Sequence, residues 1–411
     1  MQEKGIFDVL EERGFIEQIT DPDQVKALFN RESVPFYIGI DPTADSLHIG
    51  HFMSVIVSSK MQAYGHKPII LVGGGTAQIG DPSGKTDMRK MLSKEDIEKN
   101  IAGIKSQLEK YLKFDGENGA IIVNNGDWIN DLNYLEFMRE IGSKFTVTRM
   151  LATEAYKQRI AAGGLTFFEM GYMLLQSYDF LKLHEEYGCK LQLGGNDQWS
   201  NIIGGVELIR KLGNADAYGL TFKLLLTKDG VKMGKTVNGA LWLDENKTSP
   251  YEFYQYWRNV ADDDVENCMK LLTDIPLEDI ANYTKDIHDA KIINEAKEVL
   301  AYDVTKLVHG EEKAKAAQEA ARALFTNSNG DTSNMPETKI SDAINKSILD
   351  ILVEINICPS KGQAKQLIAQ GGITLNDQKV SDITYTLKED DFKEGFAIIK
   401  KGKKVFHKIV L

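Results

Sequence analysis

Apolar and polar positions along this chain change their period several times, and each change marks a different architecture. The first 30 residues read as helical. Residues 34–40, VPFYIGI, form a β-branched and aromatic run of the kind that makes a buried strand. After a turn at Asp41-Pro42, helical spacing runs from Leu47 to Tyr64 and stops at Gly65. Residues 67–75, KPIILVGGG, give a second buried strand bounded by glycines. Strand, helix and strand in such short compass form a βαβ unit, which requires parallel pairing. AIIVNNGDW (120–128) and CKLQLGGNDQ (189–198) supply a third and a fourth strand. The pattern predicts an α/β, doubly wound parallel-sheet (Rossmann-like) domain over residues 1–228, with its ligands at the carboxyl ends of the strands.

Beyond it the pattern changes. Residues 229–325 hold the rest of a glycine-punctuated basic loop and then, from 249, an almost wholly helical stretch rich in Ala, Lys and Glu. TNSNGDTSNMPET (326–338) is polar, carries Gly and Pro, and reads as a linker. Residues 339–411 form a separate small α+β unit. In it SKGQAKQLIAQGG (360–372) is an amphipathic helix ending in a glycine pair, and GITLNDQKV gives strand, Asn-Asp turn and strand.

Composition narrows the class. A chain of 411 residues exceeds one ordinary core, which agrees with several domains. Hydrophobic residues at 42% and charged residues at 27% exclude a disordered or membrane-embedded protein. No apolar run approaches the ~20 residues of a membrane helix, and the charged start MQEKGIFDVLEERG lacks a secretory core. Cys189, Cys268 and Cys358 lie far apart with no CxxC pair, so reduced buried thiols and a cytoplasmic location are expected, without a structural metal site. The net charge is −11, yet residues 338–411 carry 12 Lys against 9 Asp and Glu, a local +3 that leaves −14 on the remainder. A nucleic-acid site on this chain must therefore be local.

Four segments carry candidate chemistry. His48-Ile49-Gly50-His51 opens the helix after the first strand. There unpaired backbone N–H groups and the dipole favour phosphate, the histidines add donors, and Gly50 permits close approach. Lys232 and Lys235 straddle Gly234 in LTKDGVKMGKT (226–236), placing two ammonium groups on one loop. Tyr172, Gln176 and Asp179 fall at i, i+4 and i+7, on one helix face, where burial demands a polar partner. Gly194-Gly195-Asn196-Asp197-Gln198 follows the fourth strand, where glycines admit a ligand and an acid suits ribose hydroxyls. GGGTAQIGDPSGK (73–85) ends the second strand in a similar place. Taken singly, these segments also fit a capped helix start, a solvated lysine pair, a solvated helix face and a plain Gly-Asn turn.

Together they resemble a known family. HIGH (48–51) followed by KMGKT (232–236) resembles the HIGH and KMSKS signatures of class I aminoacyl-tRNA synthetases. Gly234 and Thr236 stand where the usual second signature has serines, while Lys232 and Lys235 are kept. YMLLQSYD (172–179) resembles the tyrosine-binding helix of bacterial tyrosyl-tRNA synthetases. The resemblance implies that Asp179 accepts the substrate phenol proton, with Tyr37 completing the phenol site. It implies that Tyr172, Gln176 and Asp81 hold the α-ammonium group and that Gln198 lies near the carboxylate. The ATP site it implies takes in Gly39, Asp41, His48, Gly50, His51, Gly195, Asp197, Lys232 and Lys235. Thr43, His48, His51, Lys232, Lys235 and Thr236 would act on the phosphates, with Lys85 and Arg89 meeting pyrophosphate. SKGQAKQLIAQGGITLNDQKV resembles a small RNA-binding domain shared with a ribosomal protein, whose phosphate contacts would come from Lys361 and Lys365, with Lys400, Lys401, Lys403, Lys404 and Lys408 adding charge.

The implied protein joins L-tyrosine to AMP using ATP with Mg²⁺ and charges tRNA(Tyr). It would be a homodimer with residues 128–151 at the interface and no membrane attachment. The tyrosine carboxylate is itself the nucleophile, so no Ser, Cys or His nucleophile is needed. Three rivals share parts of the pattern: a tryptophanyl enzyme, a cofactor-synthesis adenylyltransferase, and a non-enzymatic RNA-binding relative. The first has no use for a phenol clamp, the second usually lacks the paired lysine loop and RNA module, and the third has no need of intact catalytic motifs.

Overall fold

The computed structural model describes residues 4–82, 93–213, 215–236, 239–326, 337–355, 357–358, 360–392, 395–402 and 405–411. They fall into two compact units, Met1–Met233 with Asn267–Leu277, and Gly234–Glu266 with Glu278–Leu411.

The first unit is built on a six-stranded sheet. Its strands are β1 (Ile16–Ile19), β2 (Pro35–Ile40), β3 (Lys67–Val72), β4 (Ile121–Asn124), β5 (Leu191–Gly195) and β6 (Tyr218–Phe222), in the spatial order β1-β6-β5-β2-β3-β4. All neighbours are parallel except β1, which runs antiparallel to β6. The sheet is thus doubly wound: the chain moves outward from β2 through β3 to β4, then returns to the other side of β2 as β5. A crevice at the carboxyl ends of such a sheet lies where the winding reverses.

Helices α1 (Ile6–Glu12), α2 (Pro22–Arg31), α3 (Ile49–Ala63), α4 (Lys94–Leu108), α5 (Gly126–Ile129), α6 (Tyr134–Glu140), α7 (Val147–Leu151), α8 (Glu154–Ala161), α9 (Phe167–Tyr187) and α10 (Trp199–Gly213) complete this unit. Sheet alternation divides the core. Tyr37, Ile69 and Leu71 join Phe180, Leu183, Leu208 and Ile209 of α9 and α10 in one buried cluster. α9, which carries most of the candidate amino-acid site, starts in a capping box. Thr166 accepts from the Glu169 N–H while Glu169 accepts from the Thr166 N–H, and the helix stops at Gly188 with φ 63°.

Two expectations need correction. The first 30 residues are not helical throughout: β1, a four-residue strand, lies between α1 and α2. The third strand is shorter than 120–128, since it ends at Asn124 and Gly126–Ile129 turn into α5.

In the second unit, the hairpin β7 (Lys235–Thr236) and β8 (Gly239–Ala240) precedes α11 (Pro250–Arg258); α12 (Val265–Leu272) begins here and ends in the first unit. Then follow α13 (Leu277–Tyr283), α14 (Ala290–His309) and α15 (Glu311–Thr326), with α11, α14 and α15 packed on one another. Further on come β9 (Glu337–Lys339), α16 (Ile348–Glu354), α17 (Lys361–Ala369), β10 (Ile373–Leu375), β11 (Gln378–Lys379), β12 (Phe396–Lys401) and β13 (Val405–Val410). These last five strands form a sheet in the order β11-β10-β12-β13-β9, closed over a core that includes Ile351, Leu352, Ile368 and Ile399. The expected turn is present: Asn376 and Asp377 have φ 47° and 65°, the left-handed pair that a two-residue hairpin requires. Residues 337–338, which the sequence reading gave to the linker, belong to β9, paired parallel with β13.

Candidate active site

Four strand ends build the site. β2 ends at Ile40 and delivers Asp41; β3 ends at Val72 and delivers Gly73 to Thr76. β4 ends at Asn124 and delivers Asn125; β5 ends at Gly195 and delivers Asn196 to Gln198. α9 lies alongside and contributes Tyr172, Gln176 and Asp179.

Asp179 is 1% exposed. Its Oδ2 accepts from Asn125 Nδ2 at 2.9 Å and its Oδ1 from Trp128 Nε1 at 2.8 Å. Burial pushes its carboxyl up to about 7, against the pull of those two donors, with Asp41 adding to the rise. Tyr37 stands on β2 with no exposed surface, and among the described residues its hydroxyl has no hydrogen-bond partner. Burial, reinforced by the Asp179 charge, holds its phenol well above the ordinary range, so it is a neutral donor. A buried polar atom left unpaired costs stability, and one pointing into a ligand site is paired when the ligand arrives. Gln192, the parallel partner of Tyr37 on β5, is 2% exposed and also leaves its Oε1 unpaired.

The other amino-acid residues form two short chains. Tyr172 donates its hydroxyl to Asp41, at 3.4 Å to Oδ1 and 3.3 Å to Oδ2, and Thr76 Oγ1 donates to the same Oδ1 at 3.4 Å. Gln176 Nε2 donates to Gln198 Oε1 at 3.4 Å, while Gln198 Nε2 donates to Asp81 Oδ2 at 2.7 Å. Gln176 keeps a buried, unpaired Oε1. Asp81 is 7% exposed. Three acids, Asp41, Asp81 and Asp179, thus stand among carboxamides and hydroxyls.

A second group of candidate side chains gathers at the start of α3. His48 is its N-cap and accepts the Gly50 N–H on Nδ1 at 3.0 Å, while the His48 N–H donates to His51 Nδ1 at 3.4 Å. The rings stack with centroids 3.9 Å apart. A neutral ring whose Nδ1 accepts carries its proton on Nε2, so the helix cap itself selects that tautomer in both rings. A Cβ at Gly50 would sit 2.8 Å from the His48 ring, so only glycine fits this mutual cap without displacing the ring. Thr43 is exposed just ahead, and the space over Gly39 is open. Gly195 precedes Asp197, whose Oδ2 pairs with Lys232 Nζ at 3.0 Å.

Other expected residues fall outside the described residues or in the second unit. Lys85 and Arg89 lie outside the described residues, as do the side chains of Lys235 and Thr236, whose backbone forms β7 of the second unit. Lys361 and Lys365 share α17 and are exposed, with Lys361 ion-paired to Asp350. Lys400 is paired with Asp377, Lys408 with Glu337 at 3.1 Å, and Lys401 donates to Ile357 O at 2.9 Å. Lys403 and Lys404 lie outside the described residues.

Sequence reasoning missed Asn125, which is fully buried and central. Its Oδ1 accepts the Gly75 N–H at 2.8 Å, and its Nδ2 serves Thr76 Oγ1 at 2.9 Å as well as Asp179. Trp128 and Gln192 were missed with it. The available signal was position: Asn125 directly follows a parallel strand, and Trp128 lies in the short helix after it.

A dinucleotide-fold sheet with a HIGH-type helix start and a lysine loop at its carboxyl edge defines a class of adenylate-forming enzymes, and comparison gives that class its name. Residues 30–326 match the family model described as tRNA synthetases class I (W and Y), and residues 328–409 match the tyrosine–tRNA ligase SYY-like C-terminal domain. The chain is 55% identical over 408 residues to the tyrosine–tRNA ligase of Clostridium tetani, covering 99% of each, and 54% identical over 412 residues to that of Acetivibrio thermocellus, again covering 99% of each. Among solved structures it is similar to a C-terminally truncated mitochondrial tyrosyl-tRNA synthetase of Aspergillus nidulans. The TM-score there is 0.70 at 30% identity, covering 79% of this chain and 95% of that one. A tryptophanyl-tRNA synthetase of Aeropyrum pernix, at 16% identity and TM-score 0.55, shares the fold. The chain belongs to the class I aminoacyl-tRNA synthetases, and within them to the bacterial-type tyrosyl-tRNA synthetases. Its activity is that of a tyrosine–tRNA ligase, with ATP, tyrosine and tRNA(Tyr) as substrates.

Proposed function

We propose that this chain selects tyrosine through Asp179 and Tyr37, and that the substrate phenol donates to the first and accepts from the second. The observation that carries this is the pair of buried groups with capacity left over: a carboxylate whose oxygens each take one N–H, and a hydroxyl with no partner. Phenylalanine would leave both stranded in a site that water cannot fill equally well. Tyr172, Gln176 and Asp81 hold the α-ammonium, and Gln198, bonded to two of them, orients the carboxylate.

The carboxylate oxygen attacks the α-phosphorus of ATP, which enters as its Mg²⁺ complex, and pyrophosphate leaves. His48 and His51 direct Nε2–H groups at charge that grows on the phosphates, with Thr43, Lys232, Lys235 and Thr236 assisting and Lys85 and Arg89 on the pyrophosphate. Gly39, Asp41, Gly50, Gly195 and Asp197 form the nucleotide bed. Asp197 then exchanges Lys232 for ribose hydroxyls. That exchange costs little, because the ion pair is solvent-accessible, with side chains 48% and 26% exposed, and such pairs contribute about 0–1 kcal/mol. A hydroxyl of the terminal adenosine of tRNA next attacks the tyrosyl carbonyl and releases AMP.

We read residues 1–228 as the catalytic domain, 229–325 as loop and helical domain, 326–338 as linker and 339–411 as an RNA-binding domain whose Lys361 and Lys365 contact phosphates. The protein acts as a homodimer in the cytoplasm. Support for the dimer comes from large apolar side chains left exposed around α6 to α9, with Leu135 at 76% and Phe167 at 65%. Among the described residues no helix is long and apolar enough to cross a membrane.

ATP–pyrophosphate exchange with each of the twenty amino acids tests the selection. Exchange is expected with tyrosine, and Asp179→Asn should abolish the preference over phenylalanine. Equal exchange with tryptophan, or an unchanged preference in that variant, would refute it.

A further inference from the structure

One side chain remote from the reacting groups is tied to the loop that carries Lys232. Arg13 caps the end of α1 and is 8% exposed. Its guanidinium donates to four main-chain carbonyls at the end of α12: Nε to Lys270 O at 2.8 Å, Nη1 to Ile275 O at 3.0 Å, and Nη2 to Thr273 O at 2.5 Å and Met269 O at 3.4 Å. A helix end leaves its last carbonyls short of partners, and a fixed fork of donors carrying positive charge suits them in geometry and sign; Met269 O also accepts the Thr273 N–H at 3.2 Å and Thr273 Oγ1 at 2.7 Å. The acceptors lie more than 250 residues along the chain from Arg13, so the contact staples the inserted stretch Asn267–Leu277 to the catalytic unit.

That stretch also bears the loop. Cys268, fully buried, donates its thiol to Met233 Sδ at 3.7 Å. Met233 is 7% exposed, and its N–H donates to Leu225 O at 2.9 Å. Within the loop the Thr227 N–H donates to Val231 O at 2.8 Å, and Gly230 turns the chain with φ 77°. Residues 225–233 are thus a closed hairpin whose buried foot, Met233, stands on α12. The next residue back is Lys232, which reaches Asp197 at 3.0 Å.

We propose that Arg13 is a positioning residue for tyrosine activation: it holds the end of α12, through Cys268 it fixes the seat of Met233, and so it sets where Lys232 meets the nucleotide phosphates. The proposal rests on the reading of Lys232 as a phosphate-contacting cation. Arg13 touches no substrate. It acts on the step in which phosphate charge grows, not on tyrosine binding, whose residues sit on β2, α9 and the ends of β3 to β5.

The test is a double-mutant cycle in the full chain between Arg13→Gln and Lys232→Ala, read as the single-turnover rate of tyrosyl-adenylate formation and, separately, as tyrosine Kd. Arg13→Gln is expected to slow adenylate formation between about tenfold and a hundredfold, the range for an ångström-scale misplacement, with tyrosine Kd unchanged. In the Lys232→Ala background its further effect should shrink below about twofold, because residues acting as one unit are not additive. Arg13→Lys should restore part of the rate, and Cys268→Ala, a milder change should Arg13→Gln fold poorly, should show the same dependence on Lys232. If Lys232→Ala alone leaves the rate intact, the reading of Lys232 fails and takes this inference with it. If Lys232→Ala slows the reaction but the Arg13 and Cys268 effects multiply fully upon it, or appear equally in tyrosine Kd, Arg13 is a general brace and the inference is overturned.

Discussion

Replacing Tyr37 by Phe separates folding from recognition, because the same oxygen should act on the two with opposite sign. Among the described residues the Tyr37 hydroxyl is buried without a partner. Leaving a hydroxyl in that condition costs about 1–3 kcal/mol. The ring is held independently of its oxygen, packed against Phe180 at 5.3 Å between centroids, within the cluster that includes Ile69 and Leu71. Phe keeps that packing and removes the stranded group, so the free protein should gain about 1 kcal/mol, which raises Tm by about 2–4 °C in a unit of this size. With tyrosine bound the balance reverses. One neutral hydrogen bond is lost, about 0.5–1.5 kcal/mol, and the tyrosine Kd should rise about 2- to 13-fold, with preference over phenylalanine falling by the same factor. Thermal melting of the free protein and equilibrium titration with tyrosine give both numbers from one preparation. A variant that melts lower than the parent and binds tyrosine as tightly would show that the hydroxyl serves the fold and never meets the ligand.

Four further expectations concern the buried acid, its donor and the C-terminal residues. With the Asp179 carboxyl pushed up to about 7 from an ordinary 3.8, tyrosine binding measured without ATP should tighten as pH rises through 7 and level above it, and Asp179→Asn should flatten the profile. The sign for folding is opposite: the native state keeps a proton that the unfolded chain releases, so this group makes the free protein less stable as pH rises from 3.8 to 7, visible in melting of the parent against Asp179→Asn. Asn125→Ala removes a donor from the Asp179 carboxylate and should shift the midpoint of that binding profile upward by about one to two units, since hydrogen bonds to charged groups contribute about 1.5–3 kcal/mol; an unmoved midpoint would deny Asn125 its part in tuning the acid. Removing residues 338–411 should leave pyrophosphate exchange intact while tRNA charging falls by orders of magnitude and loses much of its salt dependence, and undiminished charging would remove the RNA-binding role.

The sheet was readable where its strands are long apolar runs. β2 and β3 are buried on both faces, so nothing dilutes their β-branched pattern. β1 escaped because IEQI is four residues at an edge between two helices, too short for its alternation to stand out. That α9 buries Tyr172 and Asp179 was readable from spacing, since the polar positions share a face; that such a face takes tyrosine is what the family resemblance implies. Asn125 was not readable, since its importance depends on where β4 stops: Asn124 and Asn125 are neighbours of identical chemistry, and only the second is turned inward to join β3 and α9. Arg13 left still less trace, because its partners are backbone carbonyls, which every sequence supplies at every position.

The stretch Asn267–Leu277 sets a lower limit on how the enzyme can be dissected. The polypeptide leaves the catalytic unit after Met233, comes back for eleven residues, and departs again. A fragment ended at 233 would keep every strand of the six-stranded sheet yet strip Arg13 of its four acceptors and Met233 of its sulfur neighbour. It would expose a guanidinium built for burial beside an unsupported loop. A fragment meant to keep Lys232 seated would therefore have to run to Leu277, past the 1–228 proposed for the catalytic domain, and carry 234–266 as an insertion within it.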